Sequence, residues 1–265
     1  MKSINWNLRI GTIITGVMVL FIIVGIFWTP CDPNKVTAEL KQPPSSGHIL
    51  GTDNFGRDIF SRILLGARTT FLIAAATVAI GVVFGVLIGG FTGYFGGVLD
   101  DAFMRLNDSI TAFPSILLAL VIISFIGPGS VNVITALGLL FIPSFARIVR
   151  AEFARERVLD YVHAAKLMGA GKLRIMFVHI LPNTAQVILS ATAIGFNNAV
   201  LAEASMSFLG IGVQPPEASL GRMLYESQSY LGSMPWYTLS VGVAIILLVL
   251  GFALLSEGLA PSDGA

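Results

Sequence analysis

The chain has 265 residues, of which 55% are hydrophobic and 12% are charged, and its formal net charge is +1. Soluble domains carry about 25% charged residues, so this composition excludes an ordinary soluble domain. The balanced charge does not favour nucleic acid as a partner, and the single cysteine excludes an internal disulfide and any multi-cysteine metal site. The composition therefore predicts an integral membrane protein.

Six nearly uncharged runs are long enough for transmembrane helices, which need roughly 17–25 residues each. They cover residues 10–28, 70–90, 110–126, 131–149, 184–201 and 236–255. The first run ends in Phe27-Trp28-Thr29-Pro30 without a small-residue cleavage site, so we expect a retained span and not a secretory signal. Pro114 and Pro143 lie inside runs three and four, which a span tolerates where neighbours satisfy the freed backbone groups. The predicted fold is all-α, with one transmembrane domain over residues 1–265.

Basic residues indicate the orientation of these spans. If the amino terminus is inside, ten of the 16 Lys and Arg residues fall in inner segments and six in outer segments. Seven of the ten inner charges lie within 147–174. Because cytoplasmic loops are enriched in Lys and Arg, we expect residues 150–181 and both termini to be cytoplasmic. The segment 31–68 is then an outer loop.

The outer loop contains a turn-rich stretch, Gly51–Asp58, followed by a predicted short amphipathic helix over 57–65. Two interpretations remain open for its polar and glycine residues. They form a structural staple that cross-bonds the loop, or they dock a solute receptor and shape an outer vestibule. The residues concerned are Asp53, Gly56, Arg57 and Asp58.

The polar segment 150–181 separates spans four and five. Its sequence predicts a helix over 159–168, which Gly169-Ala170-Gly171 ends because glycine adopts the left-handed C-cap conformation without penalty. A second short helix is expected over 172–179, and Pro182 is expected in the first turn of span five. Spacing alone leaves two interpretations open: the segment rests on anionic lipid headgroups, or it contacts a protein partner.

The motif within this segment resembles the cytoplasmic coupling loop of ABC importer permeases. Ala164-Ala165, Gly169 and Leu181-Pro182 match that loop in residue type and spacing. His163 and His179 replace the usual glutamate and isoleucine, and both departures resemble the dipeptide/oligopeptide/nickel branch. Further landmarks of that branch cover most of the chain, namely Leu50-Gly51-Thr52-Asp53, Gly56-Arg57-Asp58, Ser61-Arg62, Phe113-Pro114 and the stretch 207–216.

The resemblance implies a permease subunit in the plasma (inner) membrane of a bacterium or archaeon. It implies three kinds of partner: a homologous second permease subunit that makes a heterodimer, two ABC ATPase subunits at the cytoplasmic face, and an extracytoplasmic solute-binding protein. The implied solute is a peptide, with nickel or a metal chelate as the alternative. The residues implied in ATPase coupling are Tyr161, His163, Ala164, Ala165, Gly169, Ala170 and Pro182. The carboxy terminus departs from the family pattern at 256–263.

No cofactor, catalytic centre or metal site is expected. Gly169-Ala170-Gly171-Lys172 is not a phosphate loop, because Lys166 and Leu173 stand where a Walker pattern needs glycine and Ser or Thr. ATP hydrolysis is therefore expected in another polypeptide. His48, His163 and His179 are widely separated, and none has a metal-ligating residue four positions away.

Polar residues in span five are the candidates for the transport pathway. An ionisable group at membrane depth is a functional candidate, so Glu203 is either a pathway or gate residue or an interfacial hydrogen-bonding one. Asn197 and Asn198 either continue a polar stripe or bond across helices. A stand-alone secondary transporter is less favoured, because it needs ionisable residues in several spans and these spans offer little beyond Glu203.

Overall fold

The computed structural model describes residues 6–259, and within that range all named secondary structure is helical. The predicted placement of both termini, and the atypical tail at 260–263, concern residues outside this range. The helices are α1 (Trp6–Phe27), α2 (Ile59–Phe95), α3 (Gly97–Thr111), α4 (Ser115–Ile126), α5 (Ser130–Glu156), α6 (Asp160–Leu167), α7 (Lys172–Arg174), a π-helical turn (Ile175–Ile180), α8 (Leu181–Phe208), α9 (Leu220–Gln228) and α10 (Pro235–Leu259).

Five helical units are long and apolar enough to cross a membrane alone: α1, α2, α5, the continuous helix Lys172–Phe208, and α10. The pair α3 and α4, which meet at a bend of 87°, is the candidate for a sixth crossing. The prediction of a single span over 110–126 is corrected here. Pro114 has no backbone N–H and disfavours the helical conformation at Phe113, so the helix breaks inside the predicted range. At 12 residues, α4 is about 18 Å long and needs α3 to complete the crossing.

Two further boundaries differ from those expected. The amphipathic helix expected over 57–65 is the first part of α2, a 37-residue helix about 55 Å long, so the outer loop ends at Asp58. The second short helix, expected over 172–179, is continuous with span five through the π-helical turn. In that turn the Leu181 N–H bonds the carbonyl of Met176, which makes room for Pro182 directly after it.

The most extensive helix packing among the described residues joins α2 to α5. Glycines recur at every fourth position of α2, and their missing side chains let the backbones approach, as small residues do in membrane proteins. A Cβ at Gly81 would lie 2.9 Å from the Cβ of Phe141, and one at Gly93 would lie 2.5 Å from the carbonyl of Arg150. Gly85 and Gly89 face α5 in the same way. This contact places the carboxy-terminal end of α2 against the carboxy-terminal end of α5.

Helices α8 and α10 also pack against α2. The rings of Phe71, Phe196 and Phe252 join α2, α8 and α10. The ring centroids of Phe71 and Phe196 lie 5.1 Å apart, and those of Phe196 and Phe252 lie 4.1 Å apart. Near the ends of the described chain, the side-chain amide of Asn7 on α1 donates to the carboxylate of Glu257 on α10 at 3.0 Å. The start of α1 and the end of α10 therefore lie on the same side of the bundle.

Candidate functional site

The polar segment between α5 and α8 forms a helix and a turn that project from the helix ends. We call residues 157–174 the coupling segment. One face of α6 is buried: Val162 and Ala165 pack with Phe153 of α5 and with Ile175 and Met176 of the following helix. The other face is exposed and carries His163 and Ala164. The segment is thus anchored along one side and open on the other.

The turn after α6 is a Schellman motif. Gly169 has φ +81°, its N–H bonds the carbonyl of Lys166, and the N–H of Ala170 bonds the carbonyl of Ala165, each at 3.0 Å. This confirms the predicted glycine stop. Leu167 and Met168, at 90% and 88% exposure, form an apolar tip beside it. An unpaired apolar tip on a polar loop is suited to insertion into a groove of another protein.

The base of the coupling segment is tied to the spanning helices by polar contacts. Arg157 donates to the carbonyls of Gly93 and Tyr94, at 3.2 and 3.3 Å, at the carboxy-terminal end of α2. The hydroxyl of Tyr161 donates to Glu156 at 2.7 Å. Burial raises the pKa of Tyr161, and the hydrogen bond to Glu156 raises it further. The base of the coupling segment is therefore hydrogen-bonded to both α2 and α5.

The structure brings six of the seven residues expected to couple to an ATPase into this single helix and turn. The exception is Pro182, which lies on α8, exposed beside Leu181 and facing Val82 across a shallow apolar groove. Sequence reasoning missed the exposure of Leu167 and Met168, although their position next to the glycine stop was visible.

A groove of about 360 Å³ lies between α4, α5 and α8. Asn198 lines it together with hydroxyl groups from all three helices, contributed by Ser115, Ser144 and Ser205. These serines were missed as pathway candidates, although Asn198 and Ser205 are seven residues apart and so share a helix face. The groove offers a polar strip on a surface that is otherwise apolar.

Asn197 and Glu203 lie away from this groove. Glu203 is 0% exposed, and its carboxylate accepts from the Ser207 hydroxyl at 2.6 Å. The same hydroxyl accepts the backbone N–H of Val213 at 3.1 Å, so the group ties α8 to the loop that follows it. This arrangement agrees with the interpretation of Glu203 as a hydrogen-bonding residue rather than a pathway residue.

The outer loop is cross-bonded by charges that are shielded from solvent. Asp53, at 0% exposure, accepts from the Arg57 Nε at 2.6 Å and from the Arg57 backbone N–H at 2.9 Å. The guanidinium of Arg57 also pairs with the carboxylate of Glu226 on α9, at 3.0 Å. The guanidinium of Arg62 lies 3.5 Å from the same carboxylate. Gly56, with φ +74°, lies against the backbone of Thr37. The staple interpretation accounts for these contacts.

Asp58 has a separate role at the start of α2. Its carboxylate accepts the backbone N–H of Ser61 at 2.8 Å and caps the helix. It also lies 2.8 Å from the Nδ1 of His48, with the thiol of Cys31 nearby. The expectation of no metal site stays a prediction, although the fold brings His48 close to two possible metal-binding side chains that are distant from it in sequence.

Comparisons with known proteins agree with this architecture. Residues 81–262 match the family described as the binding-protein-dependent transport system inner membrane component. The dipeptide transport system permease protein DppC of Haemophilus influenzae is 37% identical over 262 residues, covering 96% of this chain and 89% of that protein. The glutathione transport system permease protein GsiD of Pectobacterium atrosepticum is 38% identical and covers 92% of this chain and 83% of that protein.

A third relative is the probable D,D-dipeptide transport system permease protein DdpC of Escherichia coli, 33% identical and covering 94% of this chain and 85% of that protein. The match spans most of the chain in each case, and the helical bundle has the five or six apolar crossings that an inner-membrane component requires. This chain belongs to the family of inner membrane components of binding-protein-dependent transport systems, and it is a multi-pass permease of the ABC importer type.

Proposed function

We propose that the chain is one of two homologous permease subunits of an ATP-driven importer, and that it forms half of a pathway for peptides delivered by an extracytoplasmic solute-binding protein. The observation that carries the proposal is the coupling segment, whose exposed apolar tip is joined by a buried helix face to the ends of α2, α5 and α8. The tip is the surface offered to one of two ABC ATPase subunits at the cytoplasmic face.

The proposed mechanism is alternating access. Closure of the ATPase pair displaces the tip, and the Arg157 contacts carry the displacement to α2. The continuous helix Lys172–Phe208 carries it to α8, because no loop intervenes between the turn and the span. The groove between α4, α5 and α8 then opens alternately to either side. Asn198 is the pathway residue that this geometry favours.

The groove is open along one side, which supports a second permease as its other wall. We propose a homologous but different subunit, with lipid around the remaining apolar surface. The bond between Asn7 and Glu257 supports placing both termini on one side, which we propose is the cytoplasmic side.

Peptide is the solute we favour, because the relatives reported above are named for dipeptides, glutathione and D,D-dipeptides. Nickel or a metal chelate is the alternative. The buried carboxylates of Asp53 and Asp58 are not available to a receptor. We therefore place receptor docking around the outer groove of about 530 Å³ between the outer loop and α9, which Arg57 lines together with Phe55 and Tyr225.

Two glycines in the coupling segment offer a matched test. Gly169 has φ +81°, whereas Gly171 has φ −68°, and neither has a neighbouring atom that a new side chain would meet. Gly169→Val is strained by about 1–2 kcal/mol in the left-handed region and reshapes the tip, whereas Gly171→Val is not. The two variants are compared in proteoliposomes that contain the partner permease, the ATPases and the receptor.

We expect Gly169→Val to lower ATP-dependent dipeptide uptake and receptor-stimulated ATP hydrolysis together, while membrane insertion persists and Gly171→Val stays close to wild type. Unchanged uptake in Gly169→Val would remove the coupling assignment. If the same vesicles take up nickel and do not take up dipeptide, the proposed solute is wrong and nickel takes its place.

A further inference from the structure

Three side chains with metal-binding atoms meet on the outer loop, although they are far apart in sequence. One ligand atom each from Cys31, His48 and Asp58 lies within 4.8 Å of the other two. Cys31 follows α1, His48 lies in the middle of the loop, and Asp58 directly precedes α2. The cluster therefore joins the end of the first span to the start of the second.

The carboxylate of Asp58 is held in a fixed orientation by Ser61. The backbone N–H and the hydroxyl of Ser61 both donate to Oδ2, at 2.8 and 2.7 Å, which leaves Oδ1 directed at His48. The Ser61 hydroxyl oxygen also accepts the backbone N–H of Cys31 at 3.1 Å. Ser61 thus orients the Asp58 carboxylate and holds the backbone of Cys31 beside it, and the Asp58 side chain is 2% exposed.

The imidazole of His48 is held from both sides. Its Nδ1 lies 2.8 Å from Asp58 Oδ1, and its Nε2 lies 3.3 Å from a carboxylate oxygen of Glu39. A histidine with one nitrogen towards the other ligands and one on an outer carboxylate is the arrangement that orients metal-binding histidines in proteins.

We propose that Cys31, His48 and Asp58 form a binding site for Zn²⁺ on the outer loop. Thiolate, imidazole and carboxylate together favour this metal, and three protein ligands leave a fourth position for water. A tetrahedral zinc site keeps its ligand atoms about 3.3–3.8 Å apart. The 2.8 Å contact between Nδ1 of His48 and Oδ1 of Asp58 must therefore widen by about 0.5 Å, and any separation near the upper limit of 4.8 Å must shorten by about 1 Å. The thiolate and the carboxylate balance the charge of the ion.

Zinc binding changes the position of one proton and releases another. Zn²⁺ takes the place between Nδ1 of His48 and Oδ1 of Asp58, so the imidazole carries its proton on Nε2, facing Glu39. The Cys31 thiol releases its proton to solvent. Zinc binding is therefore expected to strengthen as pH rises through the neutral range.

The test uses the fact that Cys31 is the only cysteine in the chain, so maleimide labelling of the purified full-length protein reports this site alone. We expect free Zn²⁺ to slow the labelling rate by about tenfold or more, because a metal-bound thiolate is not free to react. Co²⁺ in place of Zn²⁺ should give a thiolate charge-transfer absorption band, which Cys31→Ser removes.

His48→Gln should abolish the protection, whereas His179→Gln, remote in the π-helical turn, should keep it. Elution volume and melting temperature verify that His48→Gln remains folded. If it does not, Glu39→Gln is the second variant: Glu39 is exposed, and losing an outer partner should weaken zinc affinity by about 10–100-fold. Equal labelling rates with and without Zn²⁺ in the wild type, or protection that survives His48→Gln, would overturn the proposal. The outcome does not depend on which solute is transported.

Discussion

The outer loop and the coupling segment are two large polar regions of this membrane protein. The outer loop buries charged side chains, whereas the coupling segment exposes apolar ones. In the outer loop, Asp53 and Arg62 are 0% and 1% exposed and belong to a cluster closed by Glu226. In the coupling segment, the outermost side chains, Leu167 and Met168, are apolar and almost fully exposed. The buried ion pairs hold parts of the outer loop and α9 together, whereas the exposed tip leaves apolar surface without a contact inside the chain. The difference separates a region held together by buried ion pairs from one that presents an apolar surface to its surroundings.

The largest effect is expected from breaking the charge cluster of the outer loop. Asp53→Asn leaves the buried guanidinium groups of Arg57 and Arg62 with too little negative charge, which costs about 3–5 kcal/mol. Thermal unfolding in detergent measures this loss. The matched control is Arg147→Gln, since Arg147 pairs with Asp108 in the open and its side chain is 53% exposed, where a pair contributes about 0–1 kcal/mol. Equal losses in the two variants would contradict the contrast between the regions.

The next effect concerns the α2–α5 contact that links the two regions. Gly85→Leu drives a side chain into Phe145 and separates the helices, at a cost of about 1–3 kcal/mol. Gly16→Leu is the control, because no atom lies near that position of α1. Unfolding temperature and the yield of folded protein are the measurements, and an unchanged Gly85→Leu protein would show that the contact is not tight.

A smaller effect is expected at the base of the coupling segment. Tyr161→Phe removes the hydrogen bond to Glu156, which contributes about 1 kcal/mol. Hydrogen exchange should become faster in residues 157–171 and remain unchanged in the outer loop. Faster exchange in both regions would mean that the segment is not an independently movable unit.

The smallest effect on stability is expected at the tip. Leu167→Ser changes an exposed side chain, so the unfolding free energy should stay within about 0.5 kcal/mol of the wild type. Co-purification of the ATPase should nevertheless fall, because the apolar contact is lost. A stable variant that retains full ATPase binding would move the docking surface away from the tip.

Local signals carried much of the fold. Long apolar runs predicted the spans, and the glycine stop at Gly169 followed from the C-cap preference of glycine. One available signal was overlooked: Gly81, Gly85, Gly89 and Gly93 recur at four-residue spacing, which is typical of close helix contact in membranes. A span tolerates a proline where its neighbours satisfy the freed backbone groups, but at Pro114 the third predicted span divides into α3 and α4.

The sequence by itself determined the membrane class, the polar islands between the spans and the helix–turn of the coupling segment, because these depend on the hydropathy and backbone preferences of neighbouring residues. Only the tertiary structure decided that Glu203 is buried away from the groove, that Asp53 and Glu226 share two arginines, and that Cys31, His48 and Asp58 meet. Those facts depend on how helices and loops that are distant in sequence approach one another. Packing between distant segments sets them, and no local pattern reports it.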